Sequence, residues 1–247
     1  MCKNYLLSCT AIAAIVLFGT HFNVAVAKNL SETNGGKHNL ENEIYQAESA
    51  DTSALYVGEE AEGGLAAAVK DGDGKGGTIT GKDLTLIGTK DNKGKGATVN
   101  GSNSTITLNS KTTIKDLQIG LSASKGGTIT IESGVIDVSD TAVKAEGKDT
   151  KITLGNVNII SKDKGLEIAN GANFAMESGS ITTEKLAVKA DGKDTKITLG
   201  NVNITSKDKG LEIANGANFA MESGSITTEK LAVKADGKDT KITLGNV

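Results

Sequence analysis

The chain has 247 residues, 31 of them Gly, with no Pro, no Trp and no Arg, so all 27 basic residues are Lys. Its net charge is −3 and only 3% of its residues are aromatic. This composition excludes collagen, Pro-rich linkers and a basic nucleic-acid stripe, and it denies a globular core its usual bulky fillers.

Residues 1–27 read as a secretory signal peptide. Lys3 precedes an apolar run from Leu6 to Phe18, and Ala25-Val26-Ala27 supplies the small residues of a cleavage site. That run is too short for a bilayer span, which needs about 20 residues. Both cysteines, Cys2 and Cys9, fall inside this segment, so the chain from Lys28 onward carries no thiol. Two explanations stand side by side. A chain of this size can bury enough surface without disulfide staples. Alternatively, it must cross a second membrane unfolded, where a crosslinked loop would jam.

Residues 28–63 are polar with little periodicity and read as a lead or N-terminal cap. A solenoid is expected over 64–247. Its first coil begins near residue 64, because Leu65–Gly72 resembles Leu231–Gly237. Short strands are expected at Leu84–Ile87, Ala97–Val99, Ile106–Leu108, Ile114–Ile119 and Ile129–Ile131.

Internal duplication then takes over. Residues 142–186 and 187–231 align without gaps and match at 43 of 45 positions, differing only at Glu146/Asp191 and Ile160/Thr205. Residues 232–247 repeat 187–202 without change. A fixed period of this kind marks a solenoid, a propeller or a tandem array. Within one unit the apolar residues alternate in six short stretches. These are Ile197 and Leu199, Val202 and Ile204, Leu211 and Ile213, Phe219 and Met221, the stretch at Ile226, and Leu231 and Val233. None is long enough for a helix, and helical spacing is nowhere sustained.

The six stretches form two sets of three. Ile197 maps to Phe219 and Ile204 to Ile226 at 22 residues, whereas Phe219 maps to Ile242 at 23. The 45-residue unit is therefore two coils of 22–23 residues, each with three strands and three corners. This is the arithmetic of an all-β parallel β-helix whose coils stack at about 4.8 Å. A four-stranded propeller blade has a similar length but not the half-period. About eight coils, roughly 40 Å of stack, are expected from Gly64 onward. Strands paired on both edges account for the missing Pro, tight corners for the Gly, and a slim core for the missing Trp. At one corner Asn156, Asn201 and Asn246 alternate with Ser133, Ser178 and Ser223. They read either as a hydrogen-bonding ladder or as ordinary turn residues. Phe174 and Phe219 should be separated by Ile197, two coils apart.

Site motifs mostly fail. Gly72–Gly77 fits GxGxxG and Gly76–Lys82 fits GxxxxGK, but no helix pattern follows, and Asp83 stands where a magnesium-binding Ser or Thr belongs. Asp71 and Asp73 begin like a calcium loop, but Lys75 and Lys82 occupy ligand positions. His38 is the only histidine after residue 27, so neither a zinc cluster nor a His-based triad is supported. Glu212, Glu222 and Glu229 are spread around the unit instead of clustering as in a carbohydrate-cleaving site. Lys207-Asp208-Lys209 and Lys193-Asp194 read as solvated corners or as a binding stripe. Unit 187–231 balances six Lys against three Asp and three Glu, and its surface recurs every two coils. No catalytic, cofactor-binding or metal-binding residue is assigned, and no cofactor is expected.

The signal, the thiol-free Gly/Asn/Thr-rich coils and the segment Phe-Ala-Met-Glu-Ser-Gly-Ser-Ile at 174–181 and 219–226 resemble passenger domains of Gram-negative autotransporter adhesins. Ile-Thr-Ile-Glu-Ser-Gly-Val-Ile at 129–136 is a variant of that segment. The resemblance implies a right-handed β-helix, export to the outer-membrane surface, and non-enzymatic adhesion to host cells, extracellular matrix or other bacteria. It also favours the threading explanation for the missing thiols. Such proteins continue into a membrane β-barrel that this sequence does not contain, so it is expected to be a truncated passenger. As a fragment it is expected in the periplasm or outside the cell. Two other functions compete: a β-helical polysaccharide-degrading enzyme, and a soluble secreted effector that engages a host receptor.

Overall fold

The computed structural model describes residues 30–32, 36–58, 67–70, 76–89 and 93–247. The signal-peptide assignment at 1–27 and most of the Gly72–Gly77 motif lie outside them. The described residues form nineteen strands and no helix. In chain order these are β1 (Leu30–Glu32), β2 (Lys37–Glu41), β3 (Ile44–Gln46), β4 (Ser53–Gly58), β5 (Ala67–Lys70), β6 (Thr78–Lys82), β7 (Thr85–Ile87), β8 (Lys95–Asn100), β9 (Thr105–Ser124) and β10 (Thr128–Glu146). Then follow β11 (Lys151–Ser161), β12 (Lys164–Ala169), β13 (Asn173–Thr183), β14 (Leu186–Asp191), β15 (Lys196–Ser206), β16 (Lys209–Ala214), β17 (Asn218–Thr228), β18 (Leu231–Asp236) and β19 (Lys241–Asn246).

All strand pairings among these residues are parallel and join one turn to the next, which makes the chain a parallel β-helix with three faces. The first face stacks β2, β6, the starts of β9 and β10, then β11, β13, β15, β17 and β19. The second face carries β3, β7, the middles of β9 and β10, and the second halves of β11, β13, β15 and β17. The third face carries β4, β8, the ends of β9 and β10, then β12, β14, β16 and β18. Seven successive turns separate Thr78 from Lys241, starting at Thr78, Thr105, Thr128, Lys151, Asn173, Lys196 and Asn218.

The core is a set of columns running along the axis. Ile152, Phe174, Ile197, Phe219 and Ile242 share one register, so the two Phe rings are separated by Ile197 as the sequence predicts. The neighbouring column alternates Leu154, Met176, Leu199 and Met221. Around the corner, Val157, Gly179, Val202 and Gly224 follow. Gly179 has φ +120°, and a Cβ there would lie 2.0 Å from the Val157 carbonyl oxygen and 3.1 Å from Cε of Met176. The long, flexible Met side chain fills the room that the glycine leaves.

The alternation of 22 and 23 residues resides in one corner, between the third face and the first. Glu146, Ala169 and Asp191 stand in one register, and so do Lys151, Asn173 and Lys196. The corner therefore advances by five residues from Glu146, four from Ala169 and five from Asp191. The longer form, Asp-Gly-Lys-Asp-Thr, is closed by its buried threonine. Thr195 Oγ1 donates to the Asp191 carbonyl (2.8 Å) and accepts the Gly171 N–H of the preceding turn (3.0 Å). Thr150 and Thr240 repeat both bonds. In the shorter form Asn170 takes the left-handed conformation at φ 55°, which Asn tolerates better than most residues.

The stack begins earlier than residue 64. Residues 37–58, within the stretch read as a polar lead or cap, form β2, β3 and β4, in parallel register with β6, β7 and β8. Their apolar residues Leu40, Tyr45, Leu55 and Val57 are buried. The 22–23-residue spacing hides this turn because 41 residues separate Lys37 from its register partner Thr78. The extra length includes β5, which lies against the outer edge of β4 and carries β1 on its own far edge. Tyr45 is fully buried, and its hydroxyl donates to the Glu43 carboxylate. Burial, reinforced by that carboxylate, pushes the Tyr45 hydroxyl well above the usual phenol range.

Candidate functional site: the repeated outer faces

Because side chains alternate across each strand, every inward column has an outward partner column. On the third face the outward column reads Lys144, Glu167, Lys189, Glu212, Lys234. Glu167 is held by Lys164 at 3.2 Å and by Lys189 of the next turn at 3.3 Å. Glu212 repeats this with Lys209 at 3.5 Å and Lys234 at 3.8 Å. Partial burial pushes the Glu167 carboxyl up, but the two ammonium groups outweigh it and hold it below the usual carboxylate range.

The next outward column alternates Glu146, Ala169, Asp191, Ala214 and Asp236. The small Ala169 side chain leaves a shallow cavity of about 180 Å³, edged by Lys144, Glu146, Glu167, Lys189 and Asp191. The acids around it already have partners. Asn170 Nδ2 donates to Glu146 at 3.0 Å, and Asn215 Nδ2 donates to Asp191 at 2.6 Å. Among the described residues no group of three His, Cys, Asp or Glu is placed to hold a metal ion.

The second face differs in chemistry. Its outward positions on four consecutive rungs are Asn156, Asn158 and Ile160; Ser178, Ser180 and Thr182; Asn201, Asn203 and Thr205; Ser223, Ser225 and Thr227. None of the twelve is charged. Charge returns one rung earlier at Asp137, and at Lys111 and Lys115 before that. Asn156, Ser178, Asn201 and Ser223 do line up at the corner as the sequence implies. The Asn/Ser hydrogen bonds, however, lie two residues further on. Ser180 Oγ donates to Asn158 Oδ1, and Ser225 Oγ donates to Asn203 Oδ1, both at 2.9 Å. These bonds form two separate pairs on the flat of the face and not a ladder at the corner. The signal was present, since both pairs are 22 residues apart.

The other singled-out residues are dispersed. His38 is in β2, beside Ile79 of the next turn. Thr78–Lys82, the core of the GxxxxGK match, is strand β6. Glu212 is on the third face, whereas Glu222 and Glu229 are at two different corners. The Lys207–Lys209 corner is bound into the stack. Lys207 pairs with Glu184 at 3.3 Å, Asp208 with Lys230 at 3.1 Å, and Lys209 with Glu212.

No family model, curated protein or solved structure matches this chain.

Proposed function

We propose that the chain is an exported passenger of the autotransporter type, displayed at the cell surface, which binds host cells, extracellular matrix or other bacteria without catalysing a reaction. The observation that carries this reading is the repetition of the outer surface. The two units differ only at Glu146/Asp191 and Ile160/Thr205, and all four side chains lie on the outside of the stack. A near-identical surface presented every two rungs, about 9.6 Å apart, gains affinity by multivalency without any single strong site. The acids of the third face are matched by lysines or amides, as in a structural ladder, which favours a binding role over acid–base work.

The experiment is attachment of purified protein to cultured epithelial cells and to bacterial cells, with glycan turnover followed in parallel. Saturable attachment without turnover is the expected result. Release of reducing ends from a polysaccharide, abolished by Glu167→Gln, would instead assign the cavity over Ala169 to a carbohydrate-cleaving enzyme.

A further inference from the structure

The binding reading leaves open which face does the work and what it holds. The three faces are not equivalent. The third face spends its charges on itself, each of Glu167 and Glu212 being held by two lysines. The first face carries exposed Lys151 and Lys196, with exposed Glu177 and Glu222 where it turns into the second. The second face, from Asn156 to Thr227, offers amides and hydroxyls with no charge at all.

On this face the bond from Ser180 to Asn158 orients the amide, so that Asn158 Nδ2 keeps its donors and Ser180 Oγ keeps acceptor capacity for solvent. The Ser225–Asn203 pair repeats the arrangement two rungs on. Thr182 and Thr205 stand exposed beside these pairs, and their hydroxyls have no bonding partner among the described residues. The result is a fixed donor–acceptor set recurring at about 9.6 Å along the axis of a regular sheet.

We infer that this uncharged Asn/Ser/Thr face is a docking surface for an extended, neutral, β-linked polysaccharide lying along the helix axis. The inference rests on the binding reading above and names its ligand class. A charged polymer finds no counter-charge on the face itself, whose far corner carries exposed Lys162, Glu184, Lys207 and Glu229 in alternating sign, and an apolar partner finds only Ile160. A stretched β-1,4-linked glycan of neutral sugars is both donor and acceptor along its edges and shows the same ring edge at every second sugar, close to the two-rung interval. Each contact is a solvent-competed hydrogen bond and weak alone, so the interaction depends on both units acting together.

The test is native electrophoresis of the intact protein through gels containing hydroxyethylcellulose, a neutral β-1,4-glucan, each run against a gel without it. Retardation by hydroxyethylcellulose, unchanged by added salt and absent with the coiled α-linked glucan dextran, is the expected result. The double variant Asn158→Asp/Asn203→Asp should bind roughly tenfold more weakly, through lost donors on two units. Asn173→Asp/Asn218→Asp places the same added charge on the first face and should leave retardation unchanged. No retardation, equal retardation by dextran, or equal loss in both double variants overturns the inference. A chain that attaches to cells yet is not retarded loses this inference and keeps the binding reading.

Discussion

Thr195 shows how much of the architecture rests on single hydroxyls. It is fully buried, and its Oγ1 satisfies one backbone acceptor in its own corner and one backbone donor in the turn before. Replacing it by Val keeps the shape and strands the Gly171 N–H. Thr195→Val should therefore cost roughly 1–3 kcal/mol in urea unfolding, whereas Thr205→Ala, on the exposed second face, should change stability by less than about 0.5 kcal/mol. Gly179 is stricter still. Gly179→Ala combines φ +120° with a 2.0 Å approach to the Val157 carbonyl oxygen and should destabilise by about 3 kcal/mol or more.

Glu167 supplies the pH dependence at this scale. Its folded-state carboxyl is held below its ordinary value by Lys164 and Lys189. A carboxylate shifted downward contributes stability that is present above its unfolded-state pKa and is lost as pH falls through the folded-state value. The melting temperature of the native protein should thus exceed that of Glu167→Gln at neutral pH. The two should converge in acid, below the ordinary carboxylate range. A difference that persists or grows in acid would contradict the assigned ion pairs.

At the scale of strands and corners, legibility in the sequence followed regularity. Strands β11 to β19 could be read from alternation alone, because Gly155-Asn156 and Gly200-Asn201 mark the phase break between the first and second faces. The alternating coil length was also readable, and the structure locates its cause in the four- or five-residue corner. The first turn was not readable. Its strand β4 is buried throughout and β3 at Tyr45, but the detour through β5 removes the period that would reveal them. The place of the Asn/Ser hydrogen bonds, two residues beyond the corner, is not legible in the sequence for a related reason. Alternation says which side chains point outward but not which outward neighbours are close enough to bond. Pairing on both edges should also show in exchange kinetics. Amides of β13 and β15 should exchange only through large-scale opening, and those of β2 and β3 sooner, because among the described residues each of these two strands is paired along one edge only.

For the whole molecule, the unit is a translation. The chain enters residues 187–231 after Leu186 and leaves them after Leu231, at the same place on the third face two rungs further on. Removing those 45 residues joins Leu186 to Ala232, which reproduces the native Leu231–Ala232 junction. The deletion should fold, melt cooperatively and be shorter by about 9.6 Å in small-angle scattering. A deletion of 40 residues from the same point breaks the register and should not fold. Each 45-residue insertion or deletion therefore keeps the register and adds or removes one copy of the outer surface.

Attachment to cells by proteins with one, two and three copies of the 45-residue unit, all shown to be folded, tests the central claim most directly. If the repeated face is what binds, the half-saturating concentration falls steeply with each added unit. If the three proteins attach equally well, the repeats are not the binding element and the proposed function is wrong.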